Sequence, residues 1–109
     1  MKELIRRLTK IHNSTNNVGW GVSEYSPTMD TDHRECKVVS QSVLVVGHNV
    51  YRKTYTMFVE EFEDGMYRVF LVRDNKPDVV IALDSNRDVI VTNIIGKLKE
   101  WFPEIRRES

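Results

Sequence analysis

The sequence predicts a single α+β domain in which an N-terminal and a C-terminal helix flank a β-rich centre. Apolar residues recur at helical spacing in residues 2–12 and again in residues 87–102, whereas residues 18–83 form a succession of strand-like runs. Short turn sequences join most of these runs, so about five strands are expected to pair mainly antiparallel, as a meander. A chain of 109 residues has room for one core, which predicts one domain over residues 1–109.

The first helix and the first strand each have two unlike sides. The apolar positions that share one helical face are Leu4, Ile5, Leu8 and Ile11. Residues 12–17 then break the pattern with polar, turn-favouring side chains. In residues 18–23 bulky side chains alternate with glycine or serine, which predicts a strand with one bulky face and one bare face. Glycine in a strand also admits another backbone or side chain close by.

Four further strands follow a polar, proline-containing loop at residues 26–35. They are predicted at residues 36–46, 53–62, 66–73 and 79–83. Turn sequences separate them at residues 47–49, 63–65 and 74–78. The Glu-Asp-Gly link at 63–65, between two aromatic-rich runs, favours a hairpin.

The last helix has both a start and a stop signal. Asp84 and Ser85 offer N-cap side chains, and Asp88 stands three residues after Ser85, as in a capping box. Pro103 ends the helix. Residues 87–92 also have strand propensity, but the helical period persists for more than three turns beyond them, which favours the helix.

The predicted hairpin carries apolar side chains on both faces. One face contains Phe58, Phe62 and Phe70, and it is interrupted by Glu60 and Arg68. A sheet with one solvated face should alternate cleanly between apolar and polar residues. Either the two helices divide between the faces, or part of one face or an edge is buried by another protein or by a second copy. We expect the second arrangement.

Composition narrows the class of function. Lys plus Arg and Asp plus Glu both number 16, so the chain lacks the basic field of a general nucleic-acid binder. A single cysteine excludes an internal disulfide, and the sequence contains no apolar stretch of signal or membrane-spanning type. We expect a cytoplasmic protein that does not bind membranes.

No motif indicates catalysis, a metal or a cofactor. His33, Cys36 and His48 are the side chains that could form a nucleophile–base or metal-ligand group, yet their spacing matches no known site. We interpret residues 30–36 as a solvated loop leading into a strand. No catalytic, metal or cofactor residue is therefore predicted.

The prediction that remains is a small, non-enzymatic protein-binding module. It would act through a sheet face or edge, and its partner would be either another protein or a second copy of itself. Small accessory, inhibitory or immunity-type proteins of microbes and phages act in this way. Large aromatic residues anchor interfaces more often than their abundance suggests. The candidate contact residues are Trp20, Tyr25, Phe58, Phe62, Phe70 and Trp101.

The alternative is nucleic-acid binding by the basic first helix and a neighbouring strand. The positions for this function are Arg6, Arg7, Lys10, Arg52 and Lys53. It requires those side chains to merge into one patch free of carboxylates.

Overall fold

The computed structural model describes residues 2–10, 12–13, 17–25, 37–103 and 105–106 of the chain. The two helices are α1 (Lys2–Leu8) and α2 (Arg87–Trp101). The strands are β1 (His12–Asn13), β2 (Val18–Tyr25), β3 (Val38–His48), β4 (Lys53–Phe62), β5 (Tyr67–Val72), β6 (Val79–Asp84) and β7 (Ile105–Arg106).

Five of the strands form one antiparallel sheet in the order β2-β3-β4-β5-β6, which confirms the predicted meander and the α+β class. Each strand pairs with its neighbour in the chain, as short connections dictate. The remaining two strands, β1 and β7, are two residues long and pair with each other. The sequence predicts neither of them, and β1 lies within the stretch that was expected to be a polar break.

Both helices pack on the same face of the sheet, which we call the inner face. Leu4 and Leu8 of α1 belong to the same buried cluster as Ile94 and Leu98 of α2 and Met57 of β4. The arrangement in which the helices divide between the two faces is therefore wrong. Five side chains of α2 are buried, and burial of an aliphatic side chain contributes about 1.5–3 kcal/mol.

The cap of α2 lies one residue later than predicted. Asn86 is the N-cap, and its side-chain oxygen accepts a hydrogen bond from the backbone N–H of Asp88 at 2.8 Å. Asp84 accepts from the backbone N–H of Asn86 at 2.7 Å, so the acidic side chain shapes the turn before the helix. The predicted capping box from Ser85 is wrong, whereas the helical assignment of residues 87–92 is confirmed.

The turn between β3 and β4 also begins later than residues 47–49. β3 continues through His48, whose imidazole Nδ1 accepts hydrogen bonds from the backbone N–H groups of Val50 and Tyr51 at 3.2 and 3.3 Å. The backbone N–H of Arg52 donates to the His48 carbonyl at 2.8 Å. A buried histidine thus organises the turn that the sequence placed around it.

Candidate docking face of the sheet

The outer face is the side of the five-stranded sheet opposite α1 and α2. Its side chains form cross-strand rows because antiparallel partners in register point to the same side. The first row is Gly19, Gly47 and Thr54; the second is Gly21, Val45, Thr56 and Val72; the third is Ser23, Val43, Phe58, Phe70 and Val80; the fourth includes Gln41, Glu60, Arg68 and Leu83. The first three rows carry no charged side chain.

The third row is a continuous apolar ridge across four strands. The rings of Phe58 and Phe70 stack with their centroids 5.2 Å apart and their planes 13° from parallel. Val43 and Val80 flank them at directly paired positions. Aromatic and β-branched neighbours in register stabilise a sheet by about 0.2–1 kcal/mol per pair, so the ridge is held in place before anything binds.

Three of the exposed apolar side chains lie on this ridge or beside it, while the two most exposed, Val50 and Tyr51, lie in the β3–β4 turn. Val80 is 54% exposed, Leu83 48% and Val45 39%. Phe58 and Phe70 are half-buried by their neighbours in the sheet. Single exposed apolar residues are ordinary on protein surfaces, whereas a contiguous group on one rigid face is typical of an interaction surface.

A β-bulge places Val80 and Leu83 on the same side of the sheet. Three residues separate them, so strict alternation would put them on opposite faces. The register shifts at Ile81, because Val69 pairs with Ala82 while Phe70 pairs with Val80. The bulge re-aims the start of the edge strand β6 and adds an apolar side chain to the outer face.

The opposite edge of the outer face is bare. A Cβ atom added at Gly19 or Gly21 would meet no described atom within 4 Å, so both glycines lie beneath open space. Gly47 is tighter, since a Cβ there would lie 3.5 Å from the Thr54 Oγ1. The face therefore slopes from a bulky side at β5 and β6 to a bare side at β2.

A buried polar cluster ends the apolar region in the fourth row. The Arg68 Nε donates to Glu60 Oε1 at 2.8 Å, and the Gln41 amide donates to Glu60 Oε2 at 3.2 Å. The guanidinium carbon lies 5.0 Å from the centroid of the Phe62 ring and 5.7 Å from that of Phe70. Glu60 is fully buried and Arg68 is 6% exposed, so the two charges neutralise each other away from solvent.

The predicted contact residues divide between the two faces. Phe58 and Phe70 lie on the outer face, whereas Phe62 is buried there, with only 1% exposed. Trp20 and Trp101 pack on the helix side of the sheet, where the Trp101 ring stacks on Tyr55 at a centroid distance of 4.0 Å. Phe102 is buried beside them, so the helix end packs against the sheet. The backbone of Tyr25 pairs with Gln41, but its side chain lies outside the described part of the chain.

The basic positions lie at two ends of the molecule. Arg6 pairs with Glu3, and Arg7 pairs with Asp88 at the first turn of α2. Arg52 lies in the β3–β4 turn and Lys53 begins β4, close to the opposite end of α2. At 15 residues, α2 is about 22 Å long.

Lys10 follows α1 in the chain and is exposed. The basic side chains therefore do not form the single, carboxylate-free patch that the nucleic-acid hypothesis requires.

Of the three residues considered for catalysis, the structure describes His48. His33 and Cys36 lie outside the described residues. His48 is 4% exposed, and its ring stacks against Tyr51 and Phe102 at centroid distances of 4.3 and 5.6 Å. Its Nδ1 is already an acceptor for two backbone N–H groups, so the role that the structure gives it is to hold a turn.

A concave region of about 520 Å³ lies where α1, the β4–β5 turn and the start of α2 meet. The Arg87 Nε donates to the Tyr67 hydroxyl at 3.1 Å, and that hydroxyl donates to Glu61 at 3.3 Å. The hydrogen bond with Tyr67 raises the pKa of Arg87. A hydrogen bond from Arg6 lowers the pKa of Glu3, which also lines this region. The charges here are matched within the chain.

No family model, curated protein or solved structure matches the chain. Within the described residues, no helix has the length and apolar character needed to cross a bilayer. The case for function therefore depends on the outer face itself.

Sequence reasoning missed most of the residues that form this face. It noted Glu60 and Arg68 only as interruptions of an apolar pattern, although their opposite charges fall at paired positions across the 63–65 turn. That pairing was the available signal for the buried cluster. The exposure of Val80 and Leu83 on one face depends on a bulge that no residue type announces.

Proposed function

We propose that the protein is a non-enzymatic binding module that docks another polypeptide on the outer face of its sheet. The observation that carries this proposal is the placement of both helices on the inner face, which leaves the ridge at Phe58 and Phe70 without a helical cover among the described elements. Such a module would act by occupying its partner, as an accessory or inhibitory protein does.

The chemistry of the first three rows supports the proposal. The cores of protein interfaces are depleted of charged residues and enriched in aromatic ones. The rows combine the stacked Phe58 and Phe70 with valine, threonine, serine and glycine, and the charged positions within the rows begin at the fourth. Arg52 borders the first row, where it lines a concave region together with Gly19 and Thr54. Since Glu60 and Arg68 are paired and buried there, a partner would not have to desolvate an unmatched charge.

The rigidity of the ridge also supports the proposal. Val43, Phe58 and Phe70 of the ridge stand on the inner strands of the sheet, where backbone pairing fixes each residue on both sides. Ordering a mobile side chain on binding costs about 0.5–1.5 kcal/mol, and a ridge held by strand pairing and ring stacking avoids part of that cost.

A matched pair of exposed valines tests the proposal. Val45 is 39% exposed on the outer face, and Val89 is 38% exposed on α2, which packs on the inner face. The wild-type chain, Val45→Lys and Val89→Lys would each be used as bait in extract from the native cell. Circular dichroism would verify that both variants fold.

We expect the wild-type chain and Val89→Lys to retain the same protein, and Val45→Lys to lose it. Equal retention by both variants would exclude the outer face as the docking surface. Recovery of nucleic acid alone by all three baits would contradict the proposal and favour the basic positions at Arg52 and Lys53.

A further inference from the structure

We infer that the polypeptide docked on the outer face presents a carboxylate to Arg52, in the concave region beside the first row. This inference rests on the proposed function, because it states the chemistry of the partner of the same face. It follows from an unmatched cation, from the backbone that holds this cation and from the space beside it.

Arg52 differs from the other arginines in having no polar partner for its side chain within the described part of the chain. The other arginines whose side chains are described each have an ion-pair or hydrogen-bond partner: Arg6, Arg7, Arg68, Arg73 and Arg87. A guanidinium presents its N–H donors in a planar fork that fits the two oxygens of a carboxylate. The donors of Arg52 are therefore available to a partner.

No acidic residue lies on the strand segments around Arg52. Residues 17–23 and 37–59 contain neither Asp nor Glu. The acidic residues of the β5–β6 turn, Asp74 and Asp78, are not among the residues that line the concave region. A partner carboxylate would thus meet a cation with no local competitor. One cation beside uncharged rows suits a single carboxylate, whereas a nucleic acid carries recurring phosphates that several cations have to neutralise.

The backbone of Arg52 has the left-handed conformation, with a φ of 54°. Glycine adopts this conformation at no steric cost, whereas a residue with a Cβ atom is uncommon there. The turn holds it in place, because the N–H of Arg52 donates to the His48 carbonyl at 2.8 Å. A residue kept in an unfavoured conformation on a well-ordered turn indicates a role for its side chain.

The space beside Arg52 has room for an acidic side chain. The concave region has a volume of about 370 Å³, near the lower end of the range for ligand sites, about 300–1,000 Å³. Gly19 gives it an open floor, since a Cβ atom added there would meet no described atom within 4 Å. Asn49 and Thr54 also line the region, and an amide and a hydroxyl can donate further hydrogen bonds to an anion.

The concave region is continuous with apolar parts of the surface. Thr54 and Phe58 are four residues apart on β4, which separates the region from the ridge by about 14 Å. Val50 and Tyr51, which are 63% and 67% exposed, precede Arg52 in the β3–β4 turn. Tyrosine and arginine are among the residues that contribute most to interface affinity. We expect one partner segment to carry an apolar anchor for the ridge and a carboxylate at that distance from it.

Selection of phage-displayed random peptides would test this inference. Peptides of about twelve residues are long enough to span the distance as a helix or as a strand. The baits are the wild type, Arg52→Gly, Arg52→Glu and Lys76→Glu. Arg52→Gly removes the cation and suits the positive φ, so it should be at least as stable as the wild type. Lys76→Glu is the control, because it reverses an exposed cation in the β5–β6 turn.

We expect the wild type and Lys76→Glu to select peptides that combine an apolar residue with Asp or Glu. Arg52→Gly should lose the acidic preference, and Arg52→Glu should select Lys or Arg in its place. A selected peptide and its Asn or Gln counterpart would then be titrated by fluorescence anisotropy. Loss of the carboxylate should weaken binding to the wild type at least about tenfold and binding to Arg52→Gly less than about twofold.

Filling the concave region provides a second variant that leaves the charge unchanged. Gly19→Val adds a strand-favouring side chain to the open floor of the region, so the variant should fold. It should weaken binding of the acidic peptide about as much as Arg52→Gly does. Full binding by Gly19→Val would show that the carboxylate does not enter this region.

The outcomes separate this inference from the proposed function. Peptides without an acidic preference, or with one that survives in Arg52→Gly, would refute the carboxylate at Arg52. If those peptides are still lost by Val45→Lys and kept by Val89→Lys, the outer face remains the docking surface and the further inference alone fails. Peptides that depend on neither Val45 nor Arg52, or the absence of any selected peptide, would count against both. Binding of oligothymidylate that Arg52→Gly abolishes, with no acidic peptide selected, would assign this cation to phosphate and overturn the inference.

Discussion

The buried pair of Glu60 and Arg68 should respond to mutation in a way that no surface pair does. In Arg68→Leu the Glu60 carboxylate, which is fully buried, keeps the Gln41 amide, at 3.2 Å, as its one hydrogen-bond donor among the described side chains. Removing one partner of a buried ion pair costs about 3–5 kcal/mol because the other charge is left without compensation. Glu60→Leu should cost a similar amount, since it removes the buried carboxylate that accepts a hydrogen bond from the Arg68 Nε at 2.8 Å.

The double variant Glu60→Leu/Arg68→Leu should be more stable than either single variant. It removes both charges and leaves the Gln41 amide without its Glu60 acceptor, at a cost of about 1–3 kcal/mol. Independent effects of the two single changes would add to roughly 6–10 kcal/mol, so we expect a coupling free energy of at least about 3 kcal/mol.

Urea unfolding followed by the fluorescence of Trp20 and Trp101 would measure these free energies, provided the slope against denaturant stays constant. The control is the exposed pair of Lys97 and Glu100, whose charged atoms lie 3.5 Å apart with side chains 30% and 64% exposed. Glu100→Leu should change the free energy of unfolding by less than about 1 kcal/mol. Single variants at the buried pair that cost less than this control, or costs that simply add, would refute the reasoning.

Five further substitutions test three local features of the fold through the same unfolding measurement. Ser42→Ala should stabilise the chain by up to about 1 kcal/mol, because the Ser42 hydroxyl is buried with no hydrogen-bond partner in the described part of the chain. A loss of stability would show that this hydroxyl has a hydrogen-bond partner. His48→Ala should cost about 1–3 kcal/mol by removing the acceptor of two backbone N–H groups, and His48→Asn should recover part of that stability. Equal costs for the two variants would argue against a role for His48 in holding the turn. Asn86→Ala should cost about 1 kcal/mol, because it removes the N-cap side chain of α2, while Ser85→Ala should change stability by less than about 0.5 kcal/mol. A larger cost for Ser85→Ala than for Asn86→Ala would show that Ser85 is the N-cap.

The order and pairing of the main elements could be predicted from the sequence because two kinds of periodicity mark them. The helical period of residues 87–101 outweighs the strand propensity of its first turn, since five buried side chains of α2 share one face. The short links at 63–65 and 74–78 force neighbouring strands to pair, which fixes most of the meander. The two-residue strands β1 and β7 carry no such signal, because a pair of residues has no period.

The side of the sheet that the helices cover was harder to predict. Both faces of the central hairpin are apolar, so hydrophobicity alone could not choose between them. The useful signal was the position of the charges: Glu60 and Arg68 interrupt the outer face, whereas Met57, Val59 and Val69 run without a charge between them along the face that the helices cover. The candidate site depends further on the bulge at Ile81 and on partner distances, which only the three-dimensional arrangement supplies.

The pairing of β1 with β7 has a consequence for the way the chain acquires its structure. The four ladders of the main sheet each join consecutive strands and can form as soon as the later strand is available. The contact of His12 with Arg106, by contrast, joins backbone segments from nearly opposite ends of the sequence and closes a loop around the whole meander. Folding should therefore proceed hairpin by hairpin, with this small ribbon as the final closure, and amide hydrogens in the ribbon should exchange with solvent sooner than those of β4.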